Sequence, residues 1–382
     1  MELLSLQKFH QLIQHKADPS LSIYLPTVKA GRETRQNPIR LKNLLSDAKA
    51  RLEEKGLGRT DLESFLKPVQ EVLDDKEYWQ KQEKGLAVFL TENLLEFFRL
   101  PLEFEPRMVL DRRFHIKPLL PLFLENERFY LLALSQKNLR LFTATRFDLV
   151  EKQLPDTPTS LDAALRFDDP ESHLHYQSGA TGSTGDGVIF HGHHPENDQE
   201  SNLKRYFHLV SQGLMAAIGD RSDPLVLAGL DNLHPLYRQV NTYQPLLEEG
   251  IYSNADQLDL DQLHQKAWEI IEKRITESRS QEVERYHSLD DDRKSESLAE
   301  ILQAAYHARL ETLFFDLERE VWGRYDPEQY LLQVTSKEDP SSRDLIDLTV
   351  IHTLLNGGSV QILTEEEFGD LAQSGAAAIL RY

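Results

Sequence analysis

Histidines and carboxylates gather in one polar stretch of the chain and could, by residue type, hold a metal ion. They are His173, His175, His191, His193, His194, Glu196 and Asp198. Imidazole and carboxylate groups are ordinary ligands of Zn²⁺ and similar ions. The spacing argues against such a site, because His-x-His ligands converge only from an extended strand and no helical His-x-x-x-His occurs. We therefore expect no metal and no cofactor, and interpret these histidines as part of a polar loop.

The histidines lie in a long segment, residues 155–200, which has no convincing periodic pattern and which we call the arm. Five glycines with small polar neighbours fall between Gln177 and His194. Such a backbone can approach a partner closely, and long segments without regular structure are usually functional or disordered. The arm is therefore one candidate site, carried by Gly182, Gly185, Gly187, His191, His193 and His194.

A second candidate is a cluster of basic residues near the N-terminus, which we call the basic patch. It consists of Lys29, Arg32, Arg35, Arg40 and Lys42. Glu33 is the only acid among residues 29–42, so the patch has a formal charge of +4. Such a cluster is typical of a loop that contacts phosphates, although a solvated loop with no specific contacts remains an alternative.

Lys204 and Arg205 form a third candidate, on an amphipathic helix that follows the arm. The helix buries Leu203, Phe207 and Val210 on one face. The two cations could contact phosphates, and the alternative is a solvated helix face.

Composition limits the function classes. The chain has 382 residues, of which 40% are hydrophobic, and it contains no Cys. Disulfides, thiolate metal sites and Cys nucleophiles are therefore excluded. The formal net charge of -20 opposes general nucleic-acid binding, DNA included, since phosphate repulsion acts over about 8 to 10 Å at physiological salt. No apolar run is long enough to cross a membrane and no signal peptide is evident, so we expect a cytoplasmic protein.

The order of predicted elements indicates an α/β protein with three domains. We predict an N-terminal domain at residues 1–113, a middle domain at 114–275 that carries the arm, and a C-terminal domain at 276–382. The middle domain should open with a helix over Phe114–Leu124 and continue with a meander of three strands. In the C-terminal domain we predict a helix followed by a strand, twice, with Gly357 and Gly358 at the end of the second helix.

Three sequence motifs occur in the order expected of a known family. They are Phe114–Leu119 (FHIKPL), Val226–Gly229 (VLAG) after the helix that follows the arm, and Ser374–Tyr382 (SGAAAILRY). With the meander, these motifs make the chain resemble the archaeal and eukaryotic class 1 peptide-chain release factors and Pelota, and in particular their bacterial relatives.

This resemblance implies a ribonuclease-H-like middle domain and a C-terminal domain similar to kink-turn-binding ribosomal proteins. It also implies a translation factor that enters the ribosomal A site as a tRNA mimic, with the ribosome as partner and possibly a translational GTPase.

The chain departs from the family in its catalytic and decoding motifs. The arm has no Gly-Gly-Gln, the motif that positions the hydrolytic water in release factors, and the N-terminal part lacks the stop-codon motifs Asn-Ile-Lys-Ser and Tyr-x-Cys-x-x-x-Phe. Residues 156–200 carry nine acids against one cation, which disfavours entry into an RNA-walled centre. We therefore expect neither catalytic release by the family mechanism nor codon-specific termination.

Three hypotheses follow. The first is a ribosome-binding factor without codon specificity, related in action to Pelota and possibly serving ribosome rescue. The second is a hydrolase of peptidyl-tRNA or another ester, in which arm histidines or a metal replace the missing glutamine. The third is a non-ribosomal adaptor on the same scaffold, since a fold alone does not determine function.

Overall fold

The computed structural model describes residues 4–168, 195–219, 221–337, 339, 341–368 and 374–382. The chain divides into two compact units. Unit 1 joins the chain up to Glu125 with Glu277–Tyr382, and unit 2 is Asn126–Thr276. The mixed α/β class predicted from the sequence is confirmed. The division into three domains stays a prediction, as do the ribonuclease-H-like and ribosomal-protein-like assignments.

The N-terminal part of unit 1 is a four-stranded antiparallel sheet with helices. Its elements are α1 (Leu6–Gln14), β1 (Ser20–Pro26), α2 (Gln36–Glu54), α3 (Arg59–Leu73), α4 (Lys76–Gln80), β2 (Gly85–Thr91), β3 (Leu94–Leu100), β4 (Arg107–Asp111) and α5 (Pro121–Leu124). The strand order is β3-β2-β1-β4. Successive side chains of a strand point to opposite faces, so β1 places Leu21, Ile23 and Leu25 against α2 and α3 and turns Tyr24 to the other face.

Unit 2 is a three-layer α/β/α sandwich. Its elements are β5 (Phe129–Leu134), β6 (Leu139–Ala144), β7 (Leu149–Lys152), α6 (Leu161–Asp168), α7 (Pro195–Ile218), β8 (Leu225–Gly229), α8 (Leu233–Val240), β9 (Ile251–Tyr252) and α9 (Leu260–Ser288), of which α9 continues into unit 1. The sheet order is β7-β6-β5-β8-β9, with an antiparallel meander β5–β7 and parallel pairing of β5, β8 and β9.

The alternation of side chains along β5 explains why helices cover both faces of the sheet in unit 2. Tyr130 and Leu132 pack against α7 and α8, while Phe129 and Leu131 pack against α9. Because both faces are covered, β5 and β8 are continuous apolar runs that are buried throughout.

The C-terminal part of unit 1 contains two further sheets. Its elements are β10 (Lys294–Ser295), α10 (Leu298–Tyr306), β11 (Leu310–Asp316), β12 (Trp322–Asp326), β13 (Leu331–Val334), β14 (Arg343–Asp344), α11 (Leu345–Leu355), β15 (Ser359–Leu363), α12 (Glu365–Phe368) and β16 (Ala376–Leu380). The strand orders are β10-β16-β11-β15 and β13-β12-β14. Helices α10 and α11 share one hydrophobic core with Tyr24, Phe89 and Phe114, so both parts of unit 1 are packed together.

The structure corrects two predicted elements. Residues 114–124 do not form a single helix: a 3-10 turn at Lys117–Leu119 precedes the four-residue α5, and Pro118 and Pro121 interrupt a continuous helix. The arm was also predicted without regular structure, but α6 and the first turn of α7 lie inside residues 155–200. The sequence signal of α6 is short, because a single apolar stripe through Leu161 and Ala164 covers only two turns.

The structure also contains elements that the sequence patterns did not indicate. Strands β10 and β14 have two residues each, β12 mixes polar and aromatic residues, and β13 has four residues that are mostly exposed although three of them are apolar. Strands that short leave no readable alternation, because a period of two needs several repeats to be recognised.

Candidate functional site

The arm can be placed only at its base. Gly182, Gly185, Gly187, His191, His193 and His194 lie outside the described residues, as do His173 and His175, so these parts of the prediction stay untested. Within the described ranges, no three His, Cys, Asp or Glu side chains are grouped so that they could hold a metal ion.

The base of the arm is attached firmly to unit 2. The backbone N–H of Leu161 donates to the carbonyl of Gln136 at 2.8 Å. Thr157 packs directly on Gly213 of α7, where a Cβ atom would collide with its side chain. Gly213 therefore allows the chain to cross α7 closely where the arm begins.

Lys204 and Arg205 lie on α7, as predicted. The Lys204 ammonium pairs with Glu200 at 2.7 Å, one helical turn away. Arg205 also has an interaction partner in the structure. A contact of either cation with phosphate stays a prediction, and for Lys204 it would compete with an existing ion pair.

The basic patch begins in the connection between β1 and α2, which a buried amide holds in place. Asn37, fully buried in the first turn of α2, accepts a hydrogen bond from Val28 N and donates one to Val28 O, both at 3.0 Å. Thr27 is tied to the carbonyls of Glu83 and Lys84 at 2.7 and 2.8 Å. Gly31 lies at a φ of +95°, a conformation that favours glycine. These hydrogen bonds fix the conformation of the chain where the loop leaves β1.

Two cations of the basic patch make contacts within unit 1 that help to hold the loop in place. The Arg40 guanidinium donates to the carbonyl of Pro26 at 2.9 Å, where β1 ends. The Lys29 ammonium pairs with the half-buried Glu83 carboxylate. Because both side chains already have a partner in the protein, they are less available for a phosphate than the other three cations of the patch.

The other three cations of the patch are exposed and, among the described residues, have no ion pair or side-chain hydrogen bond. Arg32 and Arg35 occupy the two ends of a 3-10 turn, where residues three apart lie one above the other. Arg35 and Lys42 are seven residues apart along helical backbone and share a face. Ile39 lies between them with 49% of its surface exposed. The geometry thus gives a small cationic face with an apolar centre, suited to phosphate contact.

A different group of charges is buried in unit 1, and we call it the buried network: His115, Lys117, Asp344 and Asp347. Asp347 accepts hydrogen bonds from the backbone N–H groups of Ile116 and Lys117 at 2.8 and 2.7 Å. The His115 ring lies 3.4 Å from the same carboxylate, and Lys117 pairs with Asp344 at 2.9 Å. The Phe114–Leu119 motif is thus held by residues more than two hundred positions away.

The charges of the buried network are stabilised by their partners. Burial raises the pKa of Asp347, but His115 and the two backbone N–H groups outweigh it and hold the pKa below its ordinary value. At the network's edge, burial opposes ionisation of Glu320, while hydrogen bonds from Lys337 and Trp322 and the charge of Arg107 lower its pKa to about 2. Both carboxylates therefore remain charged in the folded protein near neutral pH.

The Phe114–Leu119 motif contains His115 and Lys117, but the sequence alone indicates no structural role for either residue. No local signal could have indicated one, because their carboxylate partners Asp344 and Asp347 are remote in sequence. None of the helices in the described part of the chain has the length and hydropathy that a membrane crossing needs.

Fold and site together define a class: an α/β protein with a three-layer unit whose sequence contains the arm, and with an exposed cationic face on the other unit. Residues 129–273 match the model of bacterial archaeo-eukaryotic release factor family 7. The resemblance to bacterial relatives of the archaeal and eukaryotic release factors, predicted from the sequence, is therefore confirmed for this part of the chain. The family supports a translation-factor-like role.

Among solved structures, this chain is similar to an archaeal Pelota, described as a model of ribosome-bound archaeal Pelota and ABCE1. The identity is 10% and the TM-score is 0.40, and the match covers 100% of this chain and 95% of that one. S. cerevisiae Dom34 matches at 13% identity and a TM-score of 0.37, over 78% and 73% of the two chains. The archaeal termination factor aRF1 matches at 13% identity and a TM-score of 0.25, over 98% and 96%. These TM-scores are too low to carry an argument about this chain. No curated protein matches it.

Proposed function

We propose that this protein is a cytoplasmic, ribosome-binding translation factor that acts by binding, without recognising a stop codon. The observation that carries the proposal is the match of residues 129–273 to a release factor family. The exposed cationic face of the basic patch supports it, because in a chain of net charge -20 contacts with ribosomal RNA must be local.

The mode of action that we propose is occupancy of the A site as a tRNA mimic, in the manner implied by the resemblance to Pelota, and its setting is ribosome rescue. The absence of Gly-Gly-Gln and of the stop-codon motifs from the sequence supports binding over hydrolysis. A translational GTPase would be the natural partner for delivery. No contact of the described residues favours a hydrolase.

Co-sedimentation with ribosomes tests the proposal. The purified protein, mixed with ribosomes and centrifuged through a sucrose cushion, should be recovered in the pellet, and added salt should reduce the recovery. The double variant Arg32→Glu and Arg35→Glu should pellet about tenfold less, since it converts two phosphate-directed cations to anions on the same side of one turn.

A matched control is the double variant Arg59→Glu and Lys67→Glu on α3. It makes the same change of net charge at exposed positions outside the patch, with side chains 85% and 71% exposed. This control should pellet like the unmodified protein. Absence of the unmodified protein from the pellet would refute the proposed function, and equal loss in both variants would remove the basic patch from it.

A further inference from the structure

A cleft in unit 1 brings together two parts of the chain that are far apart in sequence. Its volume is about 1330 Å³, and it is lined by residues 16–19, Lys55, Leu57 and residues 111–113 together with residues between 306 and 352. Pockets for drug-sized molecules measure roughly 300 to 1,000 Å³. The cleft therefore has room for a larger ligand.

The lining of the cleft is cationic in an acidic protein. It carries six cations against three carboxylates, which are Lys16, Lys55, Arg112, Arg113, Arg324 and Arg343 against Asp18, Asp111 and Asp339. This excess of three positive charges stands in contrast to the net charge of -20 for the whole chain. Walls of low dielectric focus the field of such charges into the cleft.

Half of these cations have no carboxylate partner within the described residues. Lys55 donates only to the carbonyl of Leu110 at 3.4 Å, and Arg113 donates to the carbonyl of Ile13 at 3.1 Å. Lys16 is exposed and lines the cleft. The remaining pairs are Arg112–Asp18 at 3.1 Å, Arg324–Asp339 at 2.5 Å and Arg343–Asp111 at 2.5 Å.

Aromatic rings adjoin these cations. Tyr306 stacks on His352 with ring centroids 3.7 Å apart, and Tyr325 lies 5.2 Å from Tyr306. Burial, followed by the charges of Arg113, Lys16 and Arg343, lowers the pKa of His352 to about 4, so its ring is neutral near pH 7. The cleft thus joins phosphate-binding charge to partly exposed aromatic rings, the combination that single-stranded nucleic acids use for backbone contact and base stacking.

We propose that this cleft binds a segment of single-stranded RNA, with phosphates at Lys16 and Lys55, the buried charge of Arg113 behind them, and a base against Tyr306 and Tyr325. A free nucleotide offers the same chemistry, but the volume fits a strand better. The cleft is distinct from the basic patch, because Lys55 follows the last residue of α2 whereas the patch lies at its start. Nineteen helical residues separate these ends by about 28 Å. A variant can therefore lose RNA binding in the cleft and keep ribosome binding through the patch, or lose ribosome binding and keep RNA binding.

Fluorescence anisotropy of a short labelled single-stranded RNA with the full chain, measured over a range of salt concentrations, tests the proposal. The double variant Lys16→Glu and Lys55→Glu should bind at least about tenfold more weakly, and the slope of log affinity against log salt should shrink by about 0.7 for each lysine. Both lysines are exposed, so the fold should persist. The control Lys67→Glu and Lys81→Glu, at side chains 71% and 67% exposed, should keep the affinity and slope.

A second variant examines the aromatic side of the cleft. Tyr325→Leu should weaken RNA binding about fivefold without changing the salt slope, because it removes stacking and no charge. A nucleoside triphosphate and inorganic phosphate serve as competitors. Displacement of the RNA by the triphosphate at equal phosphate concentration would overturn the assignment to a strand. No RNA affinity in the unmodified protein, or equal loss in the lysine variant and its control, would overturn the proposal entirely.

Discussion

The basic patch and the buried network of unit 1 both contain charged residues but differ in composition, burial and pairing, because the patch is wholly cationic whereas the network joins His115 and Lys117 to two aspartates. The Lys117 side chain is 1% exposed and is matched by Asp344, which is 0% exposed. Arg32 and Arg35 are exposed and, in the described part of the chain, unpaired. A buried charge without a partner costs several kcal/mol, whereas an exposed one is solvated at little cost. Charges in the network should therefore maintain the fold, and those in the patch should be free for a ligand.

The largest expected effect is on the buried network. Asp347→Ala removes the acceptor of two backbone N–H groups and the carboxylate beside His115, and should lower the free energy of unfolding by about 3 to 5 kcal/mol. Urea unfolding followed by circular dichroism measures this. Glu63→Ala, which removes an exposed ion pair with Arg59, should stay within about 0.5 kcal/mol. Similar losses in the two variants would contradict the contrast between buried and exposed charges.

The next largest effect is expected at Asn37, whose hydrogen bonds to Val28 stabilise the fold and also position the loop that carries the patch. Asn37→Ala should destabilise the protein by about 1 to 3 kcal/mol, because Val28 N and O lose their buried partner. It should also reduce ribosome co-sedimentation, although no charge is altered, since the loop before Arg32 is no longer held. Urea unfolding and sucrose-cushion recovery measure the two effects. Full recovery in the pellet would show that the ordered loop is unnecessary for binding.

A smaller effect concerns pH and Glu320. Its pKa of about 2 lies below the ordinary 4.5, so its stabilising contribution is complete above pH 4.5 and is lost as the pH falls from 4.5 towards 2. After allowance for solvent screening, we expect about 1 kcal/mol. Unfolding midpoints measured at successive pH values should therefore fall less steeply in this window for Glu320→Gln than for the unmodified protein. Parallel curves would exclude a role for this carboxylate.

The smallest expected effect on stability is at the exposed cations. Arg32→Glu with Arg35→Glu should change the free energy of unfolding by no more than about 0.5 kcal/mol, because neither guanidinium contacts a described residue through its side chain. Thermal and urea unfolding of the variant used for sedimentation measure this. A loss of several kcal/mol would mean that these arginines support the fold, and any loss of ribosome binding would then have a structural cause.

Much of the fold was predictable because its signals are local. The apolar spacing of α2 and the apolar runs of β5 and β8 predicted these elements, and Gly357 ends α11 at a φ of +69° as expected. The failures have local causes too. Pro118 and Pro121 divided what appeared to be one helix, and α6 was too short for its pattern to stand out within a polar segment.

The candidate sites were less predictable. The sequence identified the five cations of the patch but could not show that Arg40 and Lys29 are engaged by Pro26 and Glu83. The cleft was not predicted, because Lys16, Lys55 and Arg113 are scattered along the chain and form no cluster in sequence.

The sequence by itself determined the α/β class, the net charge, the lack of cysteine chemistry and of Gly-Gly-Gln, and the resemblance of residues 129–273 to release factors, since each depends on residue identity or short-range order. Only the tertiary structure decided which cations are buried with a partner and which face solvent. Desolvation and ion pairing depend on distances across the fold, and contacts such as that between Ile116 and Asp347 join residues 231 positions apart.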